Sequence, residues 1–138
     1  MSEARRLAAL HAGAVDEPWD EAAFAALLAR DGAICEAGAD AFALVQVAAD
    51  EAELLMLATR RGARRRGAAR AVLTGALDRA GAAGARRCWL EVAADNEAAV
   101  ALYRRLDFAS SGKRAGYYAR DGNRVDALVM VKELGAVS

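Results

Sequence analysis

The chain is poor in several residues that would define a function at once. It has one proline, one histidine and two cysteines in 138 residues. Neither sign of charge is in excess, with 19 Lys and Arg against 19 Asp and Glu. That balance excludes a protein that coats nucleic acid or an anionic membrane by bulk charge. Uninterrupted apolar runs span only a handful of residues, far short of the roughly 20 needed to cross a bilayer as a helix. The start, with Glu3 and Arg5-Arg6 and no apolar run behind them, does not read as a signal peptide. Cys35 and Cys88 lie far apart with no C-x-x-C, which fits a reduced cytoplasmic protein. One histidine and two distant cysteines cannot assemble a metal site. There is no repeat, no linker and no low-complexity tail. The abundant residues are alanine and arginine: alanine occurs 38 times, and 17 of the 19 basic residues are arginine. This looks like the coding bias of a GC-rich genome, and it blurs helical periodicity because alanine falls on every face. The length and the 56% apolar content point to one folded domain spanning 1–138.

The pattern predicts ten elements. Residues 2–12 read as a helix capped by Ser2, with Leu7 and Leu10 at helical spacing. Pro18-Trp19-Asp20 starts a second helix, with Phe24, Leu27 and Leu28 as its stripe. Strands follow at 33–37, 41–48 and 53–59, the last a nearly continuous apolar run of the kind buried on both faces. A helix runs from about Gly67 to Ala83, with Val72, Leu73, Ala76, Leu77 and Ala80 facing inward. Then come a strand at 86–93, a helix opened by Asp95-Asn96-Glu97, and two strands, 108–118 and 124–134, joined by an Asp121-Gly122-Asn123 turn. The order α-α-β-β-β-α-β-α-β-β describes an α/β layer structure with a mixed sheet.

Two places carry chemistry on their own terms. The first is the strand–basic loop–helix unit at 53–83. A turn rich in arginine leads into a helix N-terminus, where free backbone N–H groups and the positive helix end favour an anion. Gly67, followed by the small Ala68 and Ala69, lets a polyphosphate approach the backbone closely. Six arginines lie between positions 60 and 70 with no acid among them. The same run also reads as a solvated basic loop or an RNA-binding patch. The second place is Glu91, in the strand Trp89-Leu90-Glu91-Val92. Helical segments flank that strand, so both of its faces should be covered, and burial is how a carboxylate becomes a general base. Alternation puts Glu91 with Trp89 and sends Cys88, Leu90 and Val92 to the other face. A structural carboxylate paired to an arginine is the plainer alternative. His11, late in the first helix, reads as a surface or C-terminal helix residue.

Arg64-x-x-Gly67-x-Ala69 matches the pyrophosphate signature of the GCN5-related N-acetyltransferases, and the stretch from Trp89 to Tyr103 resembles the core of their RimI-type branch. Further marks are Pro18-Trp19, Tyr117-Tyr118 and Asp126 to Met130. The resemblance spans about residues 15–134. It implies a mixed, mostly antiparallel sheet of about six strands with helices on both faces, and acetyl-coenzyme A as cosubstrate. It implies that Leu57, Ala58 and Thr59 bind the pantetheine arm and acetyl group through their backbone. Arg64, Arg65, Arg66, Gly67, Ala68 and Ala69 would hold the pyrophosphate, and Asn96 would touch the pantetheine region. Glu91 would be the general base. Tyr103 would protonate the departing thiolate, a phenol near ~10 being matched to a thiol near ~8.5. Cys88, on the face opposite Glu91, reads as core.

The branch acetylates the N-terminal alanine of a small-subunit ribosomal protein. The implied acceptor is therefore a protein N-terminal α-amine, with a lysine or a small-molecule amine as the alternative. A non-catalytic RNA-binding module is the reading from a different class. Three departures stand out. The family's customary first strand is not found, since the chain opens in a helix. Arg61-Gly62-Ala63 replaces a proline-containing loop. Asp107 stands where Leu-Gly-Phe is usual, at a turn that Asp tolerates in the αL conformation.

Overall fold

The computed structural model describes residues 2–13, 19–64 and 67–135, so Pro18, Arg65 and Arg66 lie outside the described residues. The chain forms α1 (Glu3–Ala12), α2 (Glu21–Leu28), β1 (Ala33–Ala37), β2 (Ala41–Ala48), β3 (Glu51–Thr59), α3 (Ala68–Ala82), β4 (Arg87–Ala93), α4 (Glu97–Arg105), β5 (Ala109–Arg120) and β6 (Asn123–Glu133). A single 3-10 turn, Arg61–Ala63, precedes α3. The element order is the one the pattern predicts, with boundaries shifted by one or two residues.

Local chemistry sets the ends. Ser2 accepts a hydrogen bond from the Arg5 N–H, Asp20 from Ala23 and Asn96 from Ala99, so three of the four helices start on a side-chain cap. Asp121 and Gly122 both have positive φ, 49° and 80°, as a two-residue hairpin between β5 and β6 requires. Asp107 adopts φ 70°, the conformation expected of the residue standing in for glycine.

The strands make one sheet in the order β1-β2-β3-β4-β6-β5. Only β3 and β4 are parallel; the other neighbours are antiparallel. Side chains alternate across β2. Phe42 and Leu44 pack with Leu7 and Leu10 of α1 and Phe24 and Leu27 of α2. Ala41, Ala43 and Val45 pack with α3. On the α3 side the core continues through Cys88, Leu90 and Val92 of β4 to Val100 and Tyr103 of α4. The result is three layers, which explains why the central strands read as apolar runs rather than alternating ones.

One irregularity positions everything that follows. In the β2–β3 ladder Leu44 pairs with Met56 and Val45 with Leu54, so Leu55 is an extra residue without a partner. Such a bulge bends and twists its strand. The β3–β4 ladder runs from Glu51–Arg87 to Glu53–Trp89 and stops, although both strands continue. The neighbouring β4–β6 ladder stays paired from Arg87 to Ala93. Beyond Glu53, therefore, β3 leaves β4.

Leu73, on α3, is fully buried at the centre of the larger core. Leu73→Ala should cost about 2–5 kcal/mol of unfolding free energy, through lost transfer energy and a residual cavity. Urea denaturation measures this, and a loss below about 1 kcal/mol would mean α3 is not packed on the sheet as described.

Candidate active site

The parted ends of β3 and β4 open into a cleft of about 1380 Å³. One wall is the stretch Leu54 to Thr59, and the other is Leu90 to Ala93. Arg64, Gly67, Ala68, Ala69 and Arg70 close one end, while Asn96, Leu102 and Tyr103 line the α4 side. Because β3 has no ladder partner in β4 beyond Glu53, backbone polar groups on that edge are available to a ligand. The cleft is lined from both faces of the sheet. Leu90 and Val92 belong to the α3–α4 side, while Glu91 and His11 reach it from the other.

The end at α3 suits an anion. Gly67 is the N-cap residue, in the left-handed conformation at φ 79°, and no side chain caps the helix. The first helical bond in this turn is Ala71 N–H to Gly67 C=O, so the N–H groups of Ala68, Ala69 and Arg70 have no helical acceptor. Among the described residues, and its chain neighbours aside, a Cβ at Gly67 would meet no atom within 4 Å, which leaves space before the helix end. Not every arginine of the basic run serves this end, since Arg60 is ion-paired to Asp40. Arg64 lines it, with Nε donating to the Thr59 carbonyl at 3.4 Å.

Of the residues singled out from sequence, Leu57, Ala58, Thr59, Arg64, Gly67, Ala68, Ala69, Glu91, Asn96 and Tyr103 all line this one cleft. Arg65 and Arg66 are outside the described residues. Asn96 uses Oδ1 to cap α4, accepting from Ala99 at 3.2 Å, which leaves its amide N–H groups as donors.

Three expectations need correction. Glu91 is not sealed on both faces. Its side chain keeps 17% exposure and pairs with Arg114, Nη2 to Oε1 at 3.1 Å. The arginine-paired alternative is therefore realised at a carboxylate that also lines the cleft. Glu53, one strand away, feels this carboxylate: burial raises its pKa above the ordinary 4.5, and the charge on Glu91 adds to the shift. Tyr103 is buried, and burial, with Cys88 and Tyr118 adding, pushes its pKa up to about 12. The close match to a thiol is lost, and Tyr103 keeps its proton at neutral pH. His11 is not on the surface. It is 6% exposed, packed edge-on against Phe24 and Phe42, and its Nδ1 accepts the Trp19 N–H at 3.0 Å. Cys88 is fully buried core as expected, its thiol pushed up to about 12, chiefly by burial.

The model of the acetyltransferase (GNAT) family matches residues 6–108. The chain belongs to the GNAT acetyltransferase family. Over 122 residues it is 36% identical to the ribosomal protein bS18-alanine N-acetyltransferase of Escherichia coli K12, covering 82% of this chain and 79% of that one. The crystal structure of the Escherichia coli ribosomal-protein-S18-alanine N-acetyltransferase superposes with a TM-score of 0.86 at 30% identity, covering 99% of this chain and 90% of that one. Arabidopsis thaliana NAA60 in complex with acetyl-CoA shares the fold, with a TM-score of 0.74 at 18% identity over 95% of this chain and 93% of that one. This chain is accordingly an N-acetyltransferase whose acetyl donor is acetyl-coenzyme A. The cleft fits that donor on its own evidence: an uncapped helix start with open space before it at one end, and an unpaired strand edge along its length.

Sequence reasoning missed His11, Met56 and Tyr118 as cleft residues, and Arg114 as the partner of Glu91. The histidine has a thermodynamic signature. Burial holds its pKa below the ordinary 6.5, and its Nδ1 must stay unprotonated to accept from Trp19. A depressed folded-state value contributes stability that is complete above the unfolded pKa and is lost as pH falls through the folded value. Unfolding free energy should therefore drop as pH falls below about 6.5. His11→Asn, which preserves an acceptor for Trp19, should remove that part of the slope. Parallel pH profiles for the two proteins, from urea unfolding between pH 7.5 and 5.5, would contradict this.

Proposed function

We propose that this enzyme acetylates the α-amine at the N-terminus of a protein, with a ribosomal protein that begins with alanine as the model acceptor. The relatives named above support the acceptor. The observation that carries the reading is the polarity of the cleft, with free helix N–H groups at one end and Glu91 on the opposite face of the sheet.

Acetyl-coenzyme A supplies an activated acyl group in a thioester when bound. The chain's own residues do the rest. Gly67, Ala68 and Ala69, with Arg64, Arg65 and Arg66, hold the pyrophosphate through backbone N–H groups and guanidinium charge. Leu57, Ala58 and Thr59 offer backbone groups to the pantetheine arm, and Asn96 offers its amide. Backbone N–H groups on the parted edge of β3 are fixed donors for the acyl oxygen. Glu91 accepts the proton lost by the amine nitrogen. Tyr103, holding its proton, donates a hydrogen bond to the leaving sulfur.

Acceptor chemistry agrees with so weak a base. About a tenth of an α-amine with a pKa of ~7.7–8.0 is neutral at pH 7, against under a thousandth of a lysine near ~10.4. Mass spectrometry of an alanine-initiated peptide incubated with the enzyme and acetyl-coenzyme A decides the acceptor. A single acetyl group on the α-amine is expected, and modification confined to an internal lysine would overturn the α-amine assignment.

Glu91→Gln should lower kcat about 10²–10⁴-fold at neutral pH, the usual loss on removing a general base, and leave the KM for acetyl-coenzyme A near wild type. Full activity in that variant would make Glu91 structural.

Gly67 tests the donor end. Coenzyme A at a hundred times its Kd stabilises the folded enzyme by about 2.7 kcal/mol, which raises the Tm by several degrees. Gly67→Asn tolerates positive φ but puts a side chain into the open space before α3. It should lose the ligand-dependent rise while keeping its own Tm near wild type. It leaves every arginine in place, so binding of RNA by charge would be unchanged. An undiminished coenzyme response would dissociate Gly67 from pyrophosphate binding.

A further inference from the structure

The alternation of β5 fails where it passes the cleft. Arg114 pairs with Ala127 of β6 and Tyr118 with Val125, so Ala115, Gly116 and Tyr117 bulge out of register. The bulge is held in place rather than loose. Asp126 Oδ1 accepts the Gly116 N–H at 2.8 Å, and Arg124 Nη1 donates to the Gly116 carbonyl at 3.1 Å. Gly116 itself sits at φ 60°. The consequence is the placement of two side chains. Arg114 reaches Glu91 while its guanidinium carbon lies 5.2 Å from the centroid of the Tyr117 ring. Tyr117 is half exposed, and its neighbour Tyr118 lines the cleft.

The two partners of this ion pair differ in access. Arg114 is 56% exposed and Glu91 17% exposed. The carboxylate is the fixed element and the guanidinium the removable one, with the Tyr117 ring already beside it as a second resting place. An α-amine reaches the enzyme at pH 7 mostly as an ammonium ion. Two cations cannot both lie against one carboxylate without strong mutual repulsion at about 4 Å.

We propose that Arg114, which the β5–β6–β4 register sets on the same face as Glu91, is a displaceable counter-ion in the place the acceptor's ammonium group takes, and that it thereby sets the affinity for cationic amines. The inference rests on the reading of Glu91 as the acceptor-side carboxylate. Arrival of an ammonium group releases Arg114 toward Tyr117 and transfers the carboxylate from one cation to the other. An acceptor lacking that charge gains nothing from the exchange. Arg114 is a specificity-determining residue in this scheme and takes no proton itself.

The test is calorimetric and needs no turnover. An alanine-initiated hexapeptide and its Nα-acetylated counterpart are titrated into enzyme saturated with coenzyme A, for wild type, Arg114→Ala and Arg114→Lys at one ionic strength. Partly exposed ion pairs are weak, so Arg114→Ala should bind the free-amine peptide about three- to fivefold more tightly. Its affinity for the acetylated peptide should stay unchanged, and Arg114→Lys should resemble wild type. Unchanged or weaker binding of the free-amine peptide to Arg114→Ala overturns the inference, as does an equal gain for both peptides. A wild-type enzyme that binds neither peptide overturns the acceptor reading and this inference with it. A wild-type enzyme that binds the free-amine peptide, with a ratio Arg114→Ala does not move, overturns this inference alone.

Discussion

The parting of β3 from β4 after Glu53 and Trp89 is the constraint on which the site depends. A parallel pair that stayed zipped to its ends would satisfy its own backbone and leave no cleft. The extra residue at Leu55 bends β3 away while β4 stays tied to β6 along its whole length. Unpaired peptide groups are costly when buried without a partner and useful when a ligand supplies one. The packing that flanks the break keeps it open. Ala58 and Met56 anchor β3 to the α1–α2 layer, and Leu90 and Val92 anchor β4 to the α3–α4 layer.

Electrostatics then divides the cleft. The uncapped start of α3 is a fixed source of partial positive charge, and the left-handed Gly67 keeps side chains out of its way. The opposite face carries Glu91 and, behind it, Glu53, whose pKa is raised by burial first and by the charge on Glu91 second. Tyr103 lies between, protonated because the core that holds it disfavours a phenolate. In the proposed reaction the negative end supplies its charge and the neutral middle its proton. Arg114 complicates the negative end, because the counter-ion that stabilises Glu91 at rest also competes with whatever cation arrives.

Much of this was legible in the chain itself. The inward stripe of α3 from Val72 to Ala80, the alternation of Cys88, Leu90 and Val92 against Trp89 and Glu91, and the αL residue at Asp107 all follow from local preference and periodicity. So did the convergence of the phosphate signature, Glu91, Asn96 and Tyr103 on one cleft, through the motif resemblance. These features are legible because each depends on a few neighbouring residues and on rules of period and sterics that act within a single element.

What tertiary structure alone decided has a common physical origin in long-range contacts. His11 was indistinguishable from a surface residue, because only the packing of α1 against α2 and β2 brings Trp19, Phe24 and Phe42 around its ring. Arg114 carried no signal toward Glu91, because the two meet only across β6, where Arg114 lies opposite Ala127 and Glu91 opposite Val129. The raised pKa of Tyr103 and the partial exposure of Glu91 are set by how much of each side chain neighbouring layers cover, a quantity that exists only once the layers have met. Sequence determined which residues line the cleft on α3, β4 and α4, since period and motif are local. Tertiary structure decided their charge, their proton and their competitor, since desolvation and ion pairing depend on atoms supplied by distant parts of the chain.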